Sequence, residues 1–265
     1  CESAYSSTGW ASNDAYFDVV NGIQYWTVPK DGTYRIAAYG AAGTDGDNNG
    51  WAGHGAKMQG DFELSMGDVL HILVGQIPGS GSYDGAGGGG SFVTKSPHNT
   101  NGSILVIAGG GGGSTAEGRA TGGDGRTSTS GGASQSGAAG GTSGNGAPPA
   151  THSLSCAGQG AGFFTNAGET ACGDLLGDEV AMAYVNGGRG GEGTCENTPY
   201  GGFGGGGGTG CGGAGGAGGY SGGGGSYSSS GGYGGGGGSY NSGSNQSNAA
   251  GNNSGNGRVT IEYIP

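Results

Sequence analysis

Three oxygen-bearing side chains stand at alternate positions in Asp45-Gly46-Asp47-Asn48-Asn49-Gly50. Oxygen ligands at positions 1, 3 and 5 with glycine at 6 match the opening half of a calcium loop. The twelfth position is Ala56, where a bidentate glutamate would close the shell. Asp45, Asp47 and Asn49 are therefore a candidate calcium set, and a polar Asp/Asn/Gly turn is the competing reading. Asp174, Asp178 and Glu179 form a second acidic group with the same two readings. No other cofactor is implied.

Catalytic arrangements are poorly supported. His54, His71, His98 and His152 are scattered, and no serine, histidine and aspartate share a suggestive local context. Gly219-Tyr220-Ser221-Gly222-Gly223 has the lettering of a nucleophile elbow but lacks the preceding apolar strand and the following helix. No Gly-Lys pair exists, which excludes a phosphate-binding loop of Walker type. The chain reads as non-enzymatic.

The five cysteines are Cys1, Cys156, Cys172, Cys195 and Cys211. None forms a C-x-x-C pair and no histidine sits at metal-ligand spacing, so a zinc site is not expected. Disulfides in an oxidising compartment are, with Cys1 left over as unpaired or intermolecular. Sequons at Asn101, Asn245 and Asn252 are glycosylation candidates and fit an extracellular or cell-surface location. The formal net charge of −11 and the single, dispersed Lys and Arg residues argue against nucleic-acid partners. No apolar run approaches the roughly 20 residues of a membrane span.

The elements that would position these groups are of two kinds. Positions 16–20, 23–28, 33–39, 57–64, 69–74, 91–95 and 104–108 read as short strands, separated by turn signals such as Asn21-Gly22 and Ser65-Met66-Gly67-Asp68. Val259-Thr260-Ile261-Glu262-Tyr263 is a further strand that must dock back onto the first set. The fold expected is mainly β, a jelly-roll sandwich formed by 1–108 plus 258–265.

Between them lies a glycine-rich insert, 109–257, which holds most of the 76 glycines. Its first part, 109–153, contains no Val, Ile, Leu, Met, Phe, Trp or Tyr and cannot bury an apolar core. Cys211-Gly-Gly-Ala214-Gly-Gly-Ala217-Gly-Gly-Tyr220 repeats every three residues, the turn of an extended polyproline-II-like helix. A bundle of polyglycine-II helices, tied by backbone hydrogen bonds and disulfides, is the expected order. Tyr220, Tyr227, Tyr233 and Tyr240 are candidates for carbohydrate stacking or for filling gaps at the bundle edge.

Several stretches together resemble the glycine-rich domain of the anaplastic lymphoma kinase and leukocyte tyrosine kinase receptors and its bacterial and other relatives. They are Gly22-Ile-Gln-Tyr-Trp26-Thr-Val-Pro29, Gly32-Thr-Tyr34, Tyr39-Gly-Ala-Ala-Gly43, Ile72-Leu-Val-Gly-Gln76, Ala86-Gly-Gly-Gly-Gly90 with Phe92-Val93, Ile107-Ala-Gly-Gly-Gly-Gly112, and Gly201-Gly-Phe203-Gly through Cys211. The resemblance implies a tumour-necrosis-factor-like sandwich with an inserted polyglycine-II bundle, placed outside the cell. Loop length and the position of the Gly-Gly-Phe203 run favour pairing of Cys195 with Cys211 and of Cys156 with Cys172, among three possible connectivities. The resemblance also implies a strand upstream of the segment matching Cys1-Glu-Ser-Ala-Tyr5. A sandwich lacking that strand exposes an edge that accepts one from another chain. The leading expectation is thus an extracellular structural or adhesive protein that binds copies of itself, in the extreme as a filament. A ligand-binding receptor ectodomain with an extracellular protein ligand is the alternative, and an ice- or carbohydrate-binding surface is a third.

Overall fold

A computed structural model describes residues 16–46, 51–79, 84–115, 123–150, 156–170, 179–194, 199–226 and 232–265. The chain is mainly β. Its strands are β1 (Phe17–Val20), β2 (Ile23–Thr27), β3 (Gly32–Tyr39), β4 (Gly55–Leu64), β5 (Val69–Leu73), β6 (Ser91–Lys95), β7 (Ile104–Ala108), β8 (Tyr240–Asn241), β9 (Ala249–Asn253) and β10 (Arg258–Ile264). Two antiparallel sheets result, one ordered β1-β2-β5-β6-β7-β8 and the other β10-β3-β4-β9. The β1–β2 hairpin turns on Asn21 and Gly22, both at positive φ, the geometry that an Asn-Gly pair favours. β10 pairs along its whole length with β3, Arg258 facing Tyr39 and Ile264 facing Thr33, so the C-terminus closes onto the N-terminal strands as expected.

Alternation in the strands sets the core. Tyr34, Ile36 and Ala38 of β3, Met58, Phe62 and Leu64 on β4, and Leu70, Ile72, Val93 and Val106 from the facing sheet fill the space between the layers. A second cluster lies on the other face of the six-stranded sheet. There Leu73, Phe92, Ile104 and Ile107 meet Phe163, Tyr184 and Tyr220 from the glycine-rich stretch. The ring of Tyr184 stacks between Phe92 and Phe163, with centroids 5.0 Å from each. The six-stranded sheet is therefore buried on both faces, which is why β7 reads as the unbroken apolar run Ile-Leu-Val-Ile-Ala.

No helix bundle is evident among the described residues; the helical elements there are short 3-10 turns at Asn101–Ser103 and Tyr184–Asn186. The glycine-rich stretch is held by bonds between segments. Gly110 and Gly113 donate their N–H groups to Gly218 and Gly215; Gly111 and Ser114 donate to Ala41 and Thr44; Gly112 donates to Gly123. Their carbonyls accept in the same rhythm. Gly110 and Gly113 accept from Gly237 and Gly234, Gly111 and Ser114 from Gly88 and Gly85, Gly109 and Gly112 from Ala56 and Gly53. Residues 109–114 thus bond to six surrounding segments, and all of these but the one at Gly123 are met again after three residues. A lateral repeat of three is what an extended chain with three residues per turn presents.

Two boundaries read from the sequence need correction. Segments around 41–44, 53–56 and 85–88, from the part assigned to the sandwich, belong to the glycine array. Conversely β8 and β9, from the part assigned to the insert, complete the two sheets. The reason is physical in both cases. A glycine segment in the array needs neighbours on every side, and a sheet accepts any extended segment whose backbone reaches its edge.

Candidate binding site

On its core-facing side the strand Ile23–Thr27 carries Gln24 and Trp26, while Tyr25 packs on the other face against His71 with ring centroids 4.1 Å apart. Gln24 pairs with Ile72 and Trp26 with Leu70 on β5. Opposite them stand Val259 and Ile261 of β10, packed against the core but only partly buried. β10 ends its sheet, and no described strand continues that sheet over β2. The gap is a groove of about 640 Å³ lined by Gln24, Trp26, Ile72, Val74, Val259 and Ile261. Tyr16, Phe17, Thr27 and Pro29 wall one part of it, and Gln76, Gly257 and Arg258 another.

Two features of this groove bear on what it can bind. Gln24 is only 8% exposed, yet its amide has no hydrogen-bond partner among the described residues. The amide is not sealed in the core: among the described residues the buried side-chain polar atom left without a partner is Thr170 Oγ1, so the Gln24 amide opens to the groove and is available to a bound group. Gln76, by contrast, donates its amide to the Val74 carbonyl at 2.9 Å. The second feature is Arg258, whose guanidinium lies 4.2 Å from the centroid of the Tyr39 ring, with the Lys57 ammonium 6.0 Å from the same ring. Neither cation forms a salt bridge among the described residues, whereas Arg35, Lys95 and Arg189 do.

The groove was not marked by the sequence motifs. Its signal was parity: Gln24 occupies a core-facing position in an otherwise apolar and aromatic strand.

The motif residues fall elsewhere. Asp45 bridges by its backbone to Ser114, and its carboxylate accepts the Trp51 N–H at 3.1 Å. Asp47 and Asn49 lie outside the described residues, as do Asp174 and Asp178. Among the described residues no group of three or more His, Cys, Asp or Glu is placed to hold a metal. Cys156 and Cys211 are each disulfide-bonded. Cys1, Cys172 and Cys195 lie outside the described residues, and with them the expected pairings and the leftover cysteine.

The Asn101 amide oxygen accepts the Tyr220 hydroxyl at 2.9 Å. The Asn245 amide donates to Asp61 at 3.0 Å, alongside the bidentate Arg35. These bonds to Arg35, then Asn245, hold the Asp61 carboxyl below the usual range. Asn252 is exposed on β9. Tyr220 and Tyr240 pack on one another, 5.0 Å apart, over the six-stranded sheet, Tyr220 buried and Tyr240 partly so. Tyr227 is outside the described residues.

The histidines form one unexpected pair. His71 and His98 stack with centroids 3.1 Å apart and planes inclined by 5°. Thr94 Oγ1 contacts both His98 Nδ1 at 3.1 Å and the Tyr184 hydroxyl at 2.8 Å. Burial, and then the neighbouring His98, push His71 down to about 4; burial also lowers His98. Among the described residues no carboxylate bonds to either ring.

No protein-family model matches the chain. Over 77 residues it is 38% identical to the leukocyte tyrosine kinase receptor of Mus musculus. The match takes in 29% of this chain and 9% of that receptor. It supports a distant, partial relationship. Among the described residues no helix is long and apolar enough to cross a membrane.

Proposed function

We propose that this chain is an extracellular, non-catalytic structural module that assembles by taking an extended strand of a second copy into the groove beside β10. The observation that carries this reading is the uncovered sheet edge. The outer edge of β10 has no backbone partner among the described residues, and the inner-facing Val259 and Ile261 beside it are only partly covered. A strand added there would continue the four-stranded sheet, bonding through its main chain while alternate side chains fill the groove. The partial likeness to a receptor, together with two disulfide-bonded cysteines, supports the extracellular placement.

Light scattering across a concentration series tests the reading. The native chain associates, and Ile261→Lys, which places a charge in the groove without touching the glycine array, stays monomeric with its fold intact by circular dichroism. Equal association of both proteins removes the proposal.

The likeness to the receptor also favours a second reading, in which the groove or another face binds a separate extracellular protein. A native chain that is monomeric at every concentration, yet loses binding to such a protein on Ile261→Lys, would select that alternative.

A further inference from the structure

Strand docking leaves open which strands are accepted, and two residues bear on this. Gln24, on the groove wall formed by β2, turns toward the groove an amide that has no hydrogen-bond partner among the described residues. An amide both donates and accepts, so it can pair with one peptide unit of an extended chain lying across it. Arg258 stands at another part of the lining, next to Gly257 and Gln76. It leans on Tyr39 together with Lys57, and the two form a cationic spot in a chain of net charge −11.

Resting on the reading of the groove as a strand-docking site, we infer that it selects a segment of the second copy that carries a carboxylate at the Arg258 end and apolar side chains at alternate positions. The peptide unit beside Gln24 takes the free amide, the apolar side chains lie on Trp26, Ile72 and Ile261, and the carboxylate meets Arg258. Charge complementarity points to a copy of the same chain, which has 19 Asp and Glu against 8 Lys and Arg. A segment ending in a cation is rejected, because it would sit against Arg258 and Lys57 with no compensating acid.

The test uses the full chain and two fluorescein-labelled, end-blocked peptides, Asp-Val-Thr-Val-Thr-Val and the same sequence with Lys in place of Asp, followed by anisotropy. The acidic peptide binds about tenfold tighter than the basic one, the effect of one charge-assisted contact. Arg258→Gln removes that preference. Gln24→Leu weakens both peptides to a similar extent while leaving the unfolding temperature of the free protein unchanged or higher, since the amide bonds to no described residue in the free fold. A purely structural Gln24 would instead lower that temperature. Equal binding of the two peptides, unmoved by Arg258→Gln, overturns the selectivity and leaves strand docking standing. Failure of both peptides to bind overturns the selectivity and the docking together.

Discussion

A methyl group on Gly111 would lie 1.9 Å from the carbonyl oxygen of Gly53, and one on Gly112 would lie 2.0 Å from that of Gly234. Neither neighbour is a side chain that can swing away. Gly111→Ala is therefore expected to lower stability by about 3 kcal/mol, at the upper end of overpacking costs. Gly102→Ala, where nothing lies within 4 Å of the added carbon, should change it by less than about 0.5 kcal/mol. Urea denaturation of the two variants checks the contrast; similar losses in both would mean that close approach is not what requires glycine in the array.

The stacked histidines give a pH dependence. His71 is held at about 4 by burial and by His98, against an ordinary 6.5 in the unfolded chain. The unfolded state takes up its proton first as pH falls, so this contribution to stability is complete above about 6.5 and is lost as pH drops through about 4. The melting temperature of the native protein should fall more steeply over that window than that of His71→Gln. Parallel curves would show that the stack does not resist protonation. The sequence puts His71 in a strand, but its stacking on His98 could not be read there, because the two meet through a strand and a turn that only the folded sheet brings together.

At the scale of elements, legibility followed burial. β1 to β7 and β10 were read within a residue or two of their ends, because each has apolar residues at strand parity or an unbroken apolar run between turn signals. β8 and β9 were not. Tyr-Asn and Ala-Ala-Gly-Asn-Asn carry no such pattern, and their pairing rests on the backbone edges that β7 and β4 offer them. The groove was illegible for a related reason. Each of its walls reads as an ordinary strand, and the gap arises because, among the described residues, one sheet stops at β10 while the other runs on to β1. In that setting Val259 and Ile261 do two jobs: they close the core from one side and offer a half-covered apolar edge on the other. Their alternation, Val-Thr-Ile, is that of a strand with a single buried face, which is what a neighbour would extend.

Across the whole molecule, two kinds of order meet at residues 104–114. β7 runs through the middle of the six-stranded sheet as far as Ala108, and from Gly109 the same backbone enters the glycine array. The sandwich has an apolar core, and the array has close backbone contacts and lateral hydrogen bonds. The shared chain and the Phe92–Tyr184–Phe163 stack bind the one to the other. The three-residue rhythm of glycine and alanine was visible in the sequence. The identity of the six neighbours was not, since glycine segments carry no side chains by which one can be told from another. With the array packed against one face of the sandwich, the edge of β10 has no partner strand among the described residues, and it is there that the proposed strand would add.

Hydrogen–deuterium exchange of the native chain, compared between dilute and concentrated samples, examines that edge directly. On association the amides of β10 (Arg258–Ile264) should gain protection, together with those of β2 around Gln24, while the glycine array is unchanged. Association that leaves β10 exchanging at its dilute rate and protects another surface would contradict the account.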